Sequence, residues 1–320
     1  MINKVSRRQQ KISDLLDYRS VDLSVSNSCT NNCLFCANRP DGLAFQPDIK
    51  KIKAKMRQAV KQGFRIVEFS AMEPTRNPDI FRLAEFARKL GFSIVHIITN
   101  GQSLTDIQFA RNLILSGVNK ITVSLHSSDK KTEAILTRNK KSFDYKIKAL
   151  KNLTALKKKY NFILEVTMVL TRYNIGHIPK IVLLCRYMGI RALNVYFPRI
   201  HGNAKINFKK VVPRFYLIKK NLIGVSRRLP DRVNINYIDI PPCIFPDNKE
   251  RERVGIRLRK RIVRPSEKSE KLIQQNDDVR QVKIKGERCR DCFYFNECEG
   301  VFREYVDAYG WREFTPVQSS

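Results

Sequence analysis

The sequence predicts an α/β fold of parallel βαβ units followed by a small cysteine-rich region. Three observations predict it. Six short β-rich runs alternate with five helical stretches between residues 21 and 197, at a spacing of roughly 30 residues that suits a strand, a crossover helix and their loops. The alternation stops near residue 205. Seven of the eight cysteines fall into two groups, one directly after the first strand and one in the last third of the chain.

Val21–Ser26 (VDLSVS) is short and alternates apolar with polar residues, as a half-buried strand does. Lys50–Gln62 has helical spacing, and Arg65–Phe69 (RIVEF) is a β-rich run. Pro78–Leu90 places Ile80, Leu83, Phe86, Ala87 and Leu90 on one helical face. Ser93–Ile98 (SIVHII) is nearly unbroken in apolar character, the mark of a buried parallel strand. Asp106–Leu115 reads as a helix and Lys120–Leu125 (KITVSL) as a strand. Phe143–Tyr160 is amphipathic, with Phe143, Ile147, Leu150, Leu153 and Leu156 at spacings of three or four. Phe162–Leu170 is a strand. Ile178–Met188 is a helix with Pro179 in its first turn, where a missing N–H costs nothing, and Ala192–Phe197 is the sixth strand.

A six-strand open barrel and a doubly wound sheet both fit this pattern. In either, chemistry belongs at the C-terminal ends of the strands. Residues 1–20 read as an N-terminal extension, 21–205 as the α/β unit and 206–320 as a cysteine-rich C-terminal region. Within the last, Lys249–Arg290 holds 15 basic and 7 acidic residues, a net +8, with little periodicity. It reads as a surface insertion or mobile linker over 249–288.

The chain has 320 residues, 42% apolar and 28% charged, enough to bury a core. Its start (Met1-Ile2-Asn3-Lys4) leads into basic and polar residues, with no apolar stretch of a secretory signal. No run approaches the roughly 20 apolar residues needed to span a bilayer. A cytoplasmic, reducing compartment is therefore expected, where clustered cysteines bind metal or do redox chemistry more often than they pair. The formal charge of +31 makes nucleic acid, an anionic surface or an acidic substrate plausible partners. About half of it lies in two segments: 249–290, and Asp129–Tyr160 with 11 basic against 3 acidic residues. Only Phe143, Tyr145 and Tyr160 interleave aromatics with those bases, too few for a strong RNA signature.

Cys29, Cys33 and Cys36 form C-x3-C-x2-C. Three thiolates can hold three corners of a four-iron cubane and leave one iron open. Structural zinc is the rival, although it usually takes four protein ligands. Cys289, Cys292 and Cys298 form C-x2-C-x5-C, and Cys243 lies upstream in a Pro-Pro-Cys. Together they offer four thiolates, enough for a closed iron–sulfur cluster or for zinc. Cys185 sits in a helical stretch and reads as core.

These residues resemble a family. Cys29-Thr30-Asn31-Asn32-Cys33-Leu34-Phe35-Cys36 is similar to the signature of the radical S-adenosylmethionine (SAM) enzymes, with Phe35 as its aromatic. The tail is similar to the twitch- or SPASM-type auxiliary cluster domains that some members carry. A further cysteine that the SPASM pattern expects is replaced by Phe302, which leaves one auxiliary cluster rather than two. Ser70-Ala71-Met72-Glu73-Pro74 stands where the family has Gly-Gly-Glu-Pro, the segment that binds the SAM amino group. Glu73 is retained and both glycines are replaced. Backbone contacts from Met72 survive that replacement where the conformation does not demand φ > 0. Thr99-Asn100-Gly101 and Ser124-Leu125-His126-Ser127 stand at the next strand ends. The resemblance implies that Thr99, Asn100 and Ser124 contact SAM and that Arg138 holds its carboxylate; a solvated surface charge is the alternative for Arg138.

The resemblance further implies a partial (β/α)6 TIM-type barrel with a small auxiliary-cluster domain. It implies a SAM-binding [4Fe–4S] cluster on Cys29, Cys33 and Cys36, and a second [4Fe–4S] cluster on Cys243, Cys289, Cys292 and Cys298. The activity implied is reductive cleavage of SAM to a 5′-deoxyadenosyl radical that abstracts hydrogen from a substrate. The reductant would be a flavodoxin or ferredoxin. A peptide or protein side chain is the substrate class such tails suggest. The short stretch before the first strand leaves peptide recognition to a separate partner or a motif in the substrate. RNA modification, cofactor biosynthesis and a non-enzymatic metal-binding module stay open as alternatives. His96 reads as core and His126 as a residue facing the site. His177 and His201 read as loop residues without an evident partner. Arg199 and Asn203 read as mouth residues or plain loop.

Overall fold

The computed structural model describes residues 20–38, 47–223, 233–245, 262–265, 272–274 and 283–318. The six expected strands are present: β1 (Ser20–Ser24), β2 (Ile66–Ser70), β3 (Ile94–Thr99), β4 (Lys120–Ser124), β5 (Ile163–Val169) and β6 (Ala192–Tyr196). Each pairs in parallel with the next. A seventh parallel strand, β7 (Asn234–Ile238), adds beyond β6, and β8 (Ile262–Pro265) adds in parallel beside β1. β9 (Leu272–Gln274) runs antiparallel on β8. From β1 to β7 the strand order is consecutive, without reversal. A doubly wound sheet reverses at a switch point, so the order selects the barrel-type winding over its rival. The sheet stays open among the described residues.

The two extra parallel strands escape a sequence reading for a physical reason. β7 (NINYI) carries asparagine, a weak β-former, at two of its five positions. It is held by register with β6 and by the burial of Tyr237. β8 lies inside the charged stretch expected to be a linker; most of 249–288 lies outside the described residues.

Helices fill the crossovers: α1 (Ile49–Lys61), α2 (Ile80–Lys89), α3 (Ile107–Leu115), α4 (Lys130–Thr137), α5 (Ser142–Leu156) and α6 (Ile178–Tyr187). Three open on an aspartate cap. The Asp48 carboxylate accepts from Lys50 N at 2.8 Å, Asp106 from Gln108 N at 2.8 Å and Asp129 from Thr132 N at 2.8 Å. α4 is the one crossover helix not foreseen, because two lysines and a short apolar stripe hide it. Met56, Leu83, Leu113, Leu150 and Ile181 from these helices join Val67, Ile97, Val123, Val166 and Val195 from the strands in one core. No described helix is long and apolar enough to cross a membrane.

After β6 come three short helices, α7 (Gly202–Ile206), α8 (Phe208–Val211) and α9 (Phe215–Leu222). In the tail, β10 (Lys283–Ile284) pairs antiparallel with β11 (Val301–Phe302), and α10 (Arg303–Tyr309) follows. An aromatic knot fastens tail to barrel. Phe197 at the end of β6 stacks on Phe215 at 4.5 Å, and Tyr305 lies edge-on to Phe215 at 4.7 Å. The Tyr305 hydroxyl donates to Glu313 Oε2 at 2.7 Å and accepts from Phe215 N at 2.9 Å. A buried tyrosine hydroxyl with both partners made adds to the packing instead of opposing it.

Candidate active site

The cysteine loop follows β1 and is gripped from both sides. Asn32 N and Leu34 N donate to the carbonyls of Thr137 and Leu136, at the end of α4, at 3.1 and 2.8 Å. From the other side, Asn203 Nδ2 donates to Asn32 Oδ1 at 2.9 Å and to the Cys33 carbonyl at 2.8 Å, and Asn203 N donates to the Cys36 carbonyl at 2.9 Å. Asn139 Nδ2 donates to Asn31 Oδ1 at 2.8 Å and Asn207 Nδ2 to the Leu34 carbonyl at 3.2 Å. Asn203 therefore clamps the loop. Asn139 and Asn207 share that work and carry no sequence signal beyond a polar residue at a helix edge.

The three thiols lie within one another's fields. Burial pushes the Cys33 thiol well up, Lys146 opposes that, and Cys36 and Cys29 add to it. Burial raises Cys29 as well. Two N–H groups point at the Cys29 sulfur, Asn31 N at 3.4 Å and Asn100 Nδ2 at 3.7 Å.

Beside this loop, the ends of β2 and β3 are tied by one carboxylate. Glu73 is 1% exposed. Its Oε1 accepts from Thr75 N, Thr75 Oγ1 and Thr99 Oγ1 at 3.2, 2.7 and 2.7 Å, and its Oε2 accepts from Asn100 N at 2.7 Å. Burial raises its pKa, while the hydrogen bonds from Thr99, Asn100 and Thr75 pull it back. Glu73 N donates to the Ser28 carbonyl at 3.0 Å, which fixes the segment against the cysteine loop.

Ala71 and Met72, in place of the two glycines, take φ values of +58° and +43°. The backbone thus keeps the left-handed shape although neither residue is glycine. Left-handed backbone costs an L-residue about 1–2 kcal/mol, and glycine gives back about 0.5–1 kcal/mol of that in lost chain entropy. Ala71→Gly is therefore expected to stabilise the protein by about 0.5–1 kcal/mol, read by anaerobic urea unfolding. A destabilised variant would mean that the turn carries no strain.

Ser124 ends β4, two residues before His126. His126 is buried, with its ring 4.5 Å from that of Phe35. Its Nδ1 accepts from Val169 N at 3.2 Å, and burial together with Lys146 holds it neutral. It braces Phe35 from below. His126 N donates to Glu133 Oε2 at 2.9 Å, and Glu133 Oε1 pairs with Lys146 Nζ, both side chains at most 1% exposed. A lysine on the buried face of α5, among Ala149, Leu150 and Leu153, is the sequence signal for this pair. Arg138 is exposed and caps α4 with φ +53°, one residue beyond the backbone that bonds Asn32.

The face of the sheet turned away from the helices is polar. His96 Nδ1 meets Glu68 Oε2 at 2.8 Å and its Nε2 meets Thr122 Oγ1 at 2.8 Å. Lys120 Nζ pairs with Glu165 Oε1 at 3.1 Å. Asn194 Nδ2 donates to Glu165 Oε2 at 2.9 Å, and Asn236 Nδ2 to Asn194 Oδ1 at 2.8 Å. His96 is thus buried as expected, and both its ring nitrogens meet polar partners. TIM-barrel interiors are usually packed with branched apolar residues. Here the polar side chains on that face are paired with one another. His177, which had no evident partner, meets Ser127 Oγ at 3.1 Å and Ser128 Oγ at 3.0 Å through Nδ1.

In the tail, Cys243 stands in a turn just after β7, and the loop between β10 and β11 brings Cys289, Cys292 and Cys298 to it. Burial pushes the Cys243 thiol up to about 12, and Cys298, Cys292 and Cys289 all add to it. Gly300 N donates to the Cys298 sulfur at 3.3 Å and Val317 N to the Cys292 sulfur at 3.4 Å. Gly300 has φ +91°, and a Cβ there would strike the Ile284 carbonyl. Lys283 Nζ ties Asp239, after β7, to Glu299, beside Cys298, at 2.7 Å each. Cys185 is buried in the core.

Among the described residues no group of three or more His, Cys, Asp or Glu side chains is placed to hold a single metal ion. A four-iron cluster takes its thiolates on separate irons, further apart than the ligands of one ion. Thiol-only donors, half-buried and met by backbone N–H groups, suit such a cluster in both groups.

A model of the Radical SAM superfamily matches residues 23–185, half of the chain. Streptococcus suis SuiB bound to S-adenosylmethionine aligns with a TM-score of 0.61 at 17% identity, over 98% of this chain and 80% of that one. SuiB bound to precursor peptide SuiA aligns at 0.54 and 19% identity, over 80% and 60%. Native anSMEcpe with bound AdoMet and Kp18Cys peptide aligns at 0.50 and 17% identity, over 68% and 64%. At these identities the likeness is one of fold.

Proposed function

The chain belongs to the radical SAM superfamily and is one of its enzymes, and from that premise we propose that Cys29, Cys33 and Cys36 hold a [4Fe–4S] cluster whose open iron takes SAM. One observation carries the reading: a single loop at the strand ends gathers three half-buried cysteines, with its backbone bonded on both flanks and N–H groups aimed at a sulfur. When bound, cluster and SAM supply a 5′-deoxyadenosyl radical that removes hydrogen from the substrate.

The chain's own residues bind and orient. The left-handed turn at Ala71 and Met72 presents backbone to the SAM amino group. Glu73 holds that turn in shape, and its Oε2, with Asn100 N as its one bonded donor among the described residues, has acceptor capacity left for an ammonium. Thr99, Asn100 and Ser124 line the same strand ends, and Arg138 reaches from the cap of α4 toward the SAM carboxylate. Phe35, braced by His126, closes the cluster loop against water.

The substrate in this reading is a peptide or protein side chain that meets the polar concave face. Two fold neighbours support that class, since SuiB is described with precursor peptide SuiA and anSMEcpe with a peptide. Cys243, Cys289, Cys292 and Cys298 hold a second [4Fe–4S] cluster in the same reading, supported by the convergence of four thiols from two separate segments.

Anaerobically reconstituted protein given dithionite and SAM is expected to release 5′-deoxyadenosine, read by liquid chromatography. Protein with a full complement of iron that releases none would overturn the assignment.

A further inference from the structure

The loop that carries Cys29, Cys33 and Cys36 lies close to the surface. Its three cysteines are half-buried, and Asn32, between the first two, is exposed. The two segments that grip it carry lysines on their outer side. On one flank Asn139 reaches Asn31 at 2.8 Å, and the next two residues, Lys140 and Lys141, are exposed. On the other flank Asn203 and Asn207 bond the carbonyls of Cys33 and Leu34. Lys205 stands between these two asparagines, Lys209 and Lys210 follow just after, and all three are exposed. Residues 138–143 and 201–214 hold no acidic residue. None of the five lysines pairs with a carboxylate among the described residues. Ile206, beside Lys205, is 68% exposed.

A collar of unpaired lysines attracts an anionic partner. Further in, the charge changes sign. On β1–β7 the face turned away from the helices carries Asp22, Glu68 and Glu165 against one lysine, Lys120. A polyanion drawn by the collar into the barrel meets those carboxylates, so the collar suits a partner that stays outside. An electron donor is such a partner: it has to come close to the cluster and never has to enter, because electron transfer falls off steeply with distance and needs no bond. The exposed isoleucine among the lysines suits a protein surface, whereas nucleic-acid phosphates are met by charged and polar groups.

We propose that Lys140, Lys141, Lys205, Lys209 and Lys210 form the docking surface for an acidic one-electron donor protein of the flavodoxin or ferredoxin class, which delivers its electron through the exposed edge of the cysteine loop. The inference rests on the cluster assignment made above. The donor is oxidised by one electron, the cluster is reduced by one, and no atom passes between them. The lysines hold the donor by charge and take no part in binding SAM.

The test uses reconstituted full-length protein, with iron counted in every sample. The probes are an acidic flavodoxin and an acidic [2Fe–2S] ferredoxin, each oxidised for binding by interferometry and photoreduced for turnover. Lys140→Glu with Lys141→Glu, and Lys205→Glu with Lys209→Glu, are each expected to weaken binding and to raise the donor's KM about tenfold. The yield of 5′-deoxyadenosine with excess dithionite is expected to stay at the wild-type level. Lys158→Glu with Lys159→Glu is the control. It makes the same charge change roughly 25 Å along α5 from Lys141, beyond the screening length, and is expected to weaken binding less than about twofold. About 0.5 M salt, which shortens that length to roughly 4 Å, is expected to abolish the difference between wild type and the collar variants. Wild type that binds neither donor, collar variants that bind as wild type does, or a control that weakens binding as much as they do overturns the proposal. So does a reversal that releases bulk tRNA and leaves both donors bound, which assigns the collar to nucleic acid. Wild-type protein that binds the donor at the collar yet releases no 5′-deoxyadenosine with dithionite overturns the cluster assignment instead, and with it the electron's destination, while the docking surface stands.

Discussion

Cys33→Ala protein is expected to release 5′-deoxyadenosine at the rate of the cluster-free background, a loss of at least about 10³-fold, or about 4 kcal/mol of transition-state stabilisation. The same holds for Cys29→Ala and Cys36→Ala. Cys33 is the most telling of the three. Its carbonyl is held by Asn203 and its neighbour Leu34 by the end of α4. The loop therefore keeps its shape when the sulfur is removed, and the lost activity reports the lost ligand. With three thiolates reduced to two, no corner of the cubane is left with a defined open iron. Iron should fall by about half, since the four tail thiolates keep their share. The converse variant, Cys298→Ala, should also lose about half of the iron while 5′-deoxyadenosine release persists. Equal activity in Cys33→Ala and wild type would exclude the loop as the site of SAM cleavage.

Glu73→Ala is expected to destabilise the fold by about 3 kcal/mol. Its carboxylate satisfies Asn100 N, Thr75 N and two threonine hydroxyls. Both hydroxyls can turn to other acceptors. The two backbone N–H groups cannot, and leaving a buried donor unpaired costs about 1–3 kcal/mol. The measurement is urea unfolding of the metal-free protein under anaerobic conditions, so that SAM and iron play no part. A change below about 1 kcal/mol would show that water replaces the carboxylate and that the clasp between β2 and β3 is dispensable. Weaker SAM binding by calorimetry should accompany it, because the turn at Ala71 and Met72 depends on the same clasp.

The fold is legible in the sequence wherever apolar periodicity is strong. β1 to β6 and all but one of the crossover helices follow from Val/Ile/Leu spacing, and the parallel winding follows from their alternation. β7 is not legible, because Asn234 and Asn236 interrupt it and only Ile235, Tyr237 and Ile238 remain to mark so short a run as a strand. α4 and the short helices after β6 are set by caps and by packing against the tail, which a local window does not contain. At the site, the cysteine spacing marks one loop and the strand ends mark Glu73, Thr99, Asn100 and Ser124. What holds them is not legible. Asn203 is marked only as a residue of the mouth or a plain loop, and Asn139 and Asn207 not at all: they reach the loop from more than 100 residues away, and an asparagine at a helix edge has no periodic signature. The replaced glycines illustrate the opposite limit. Residue identity at Ala71 and Met72 argues against a left-handed turn, and the surrounding hydrogen bonds impose it.

The distance between Cys33 and the asparagine that clamps it also sets an order of events during synthesis. Asn203 follows Cys33 by 170 residues. At about 5–20 residues per second, the ribosome adds it roughly 9–34 s after the cysteine. For that interval the nascent chain carries three thiols without their clamp. Before Asn203 is added, the loop has the end of α4 and Asn139 on one flank, and Asn203 and Asn207 then supply the other. In the proposed reading, cluster assembly on a loop held from both flanks waits for Asn203, and a translation pause before Asn203 is expected to lengthen the window in which the three cysteines are open to oxidation.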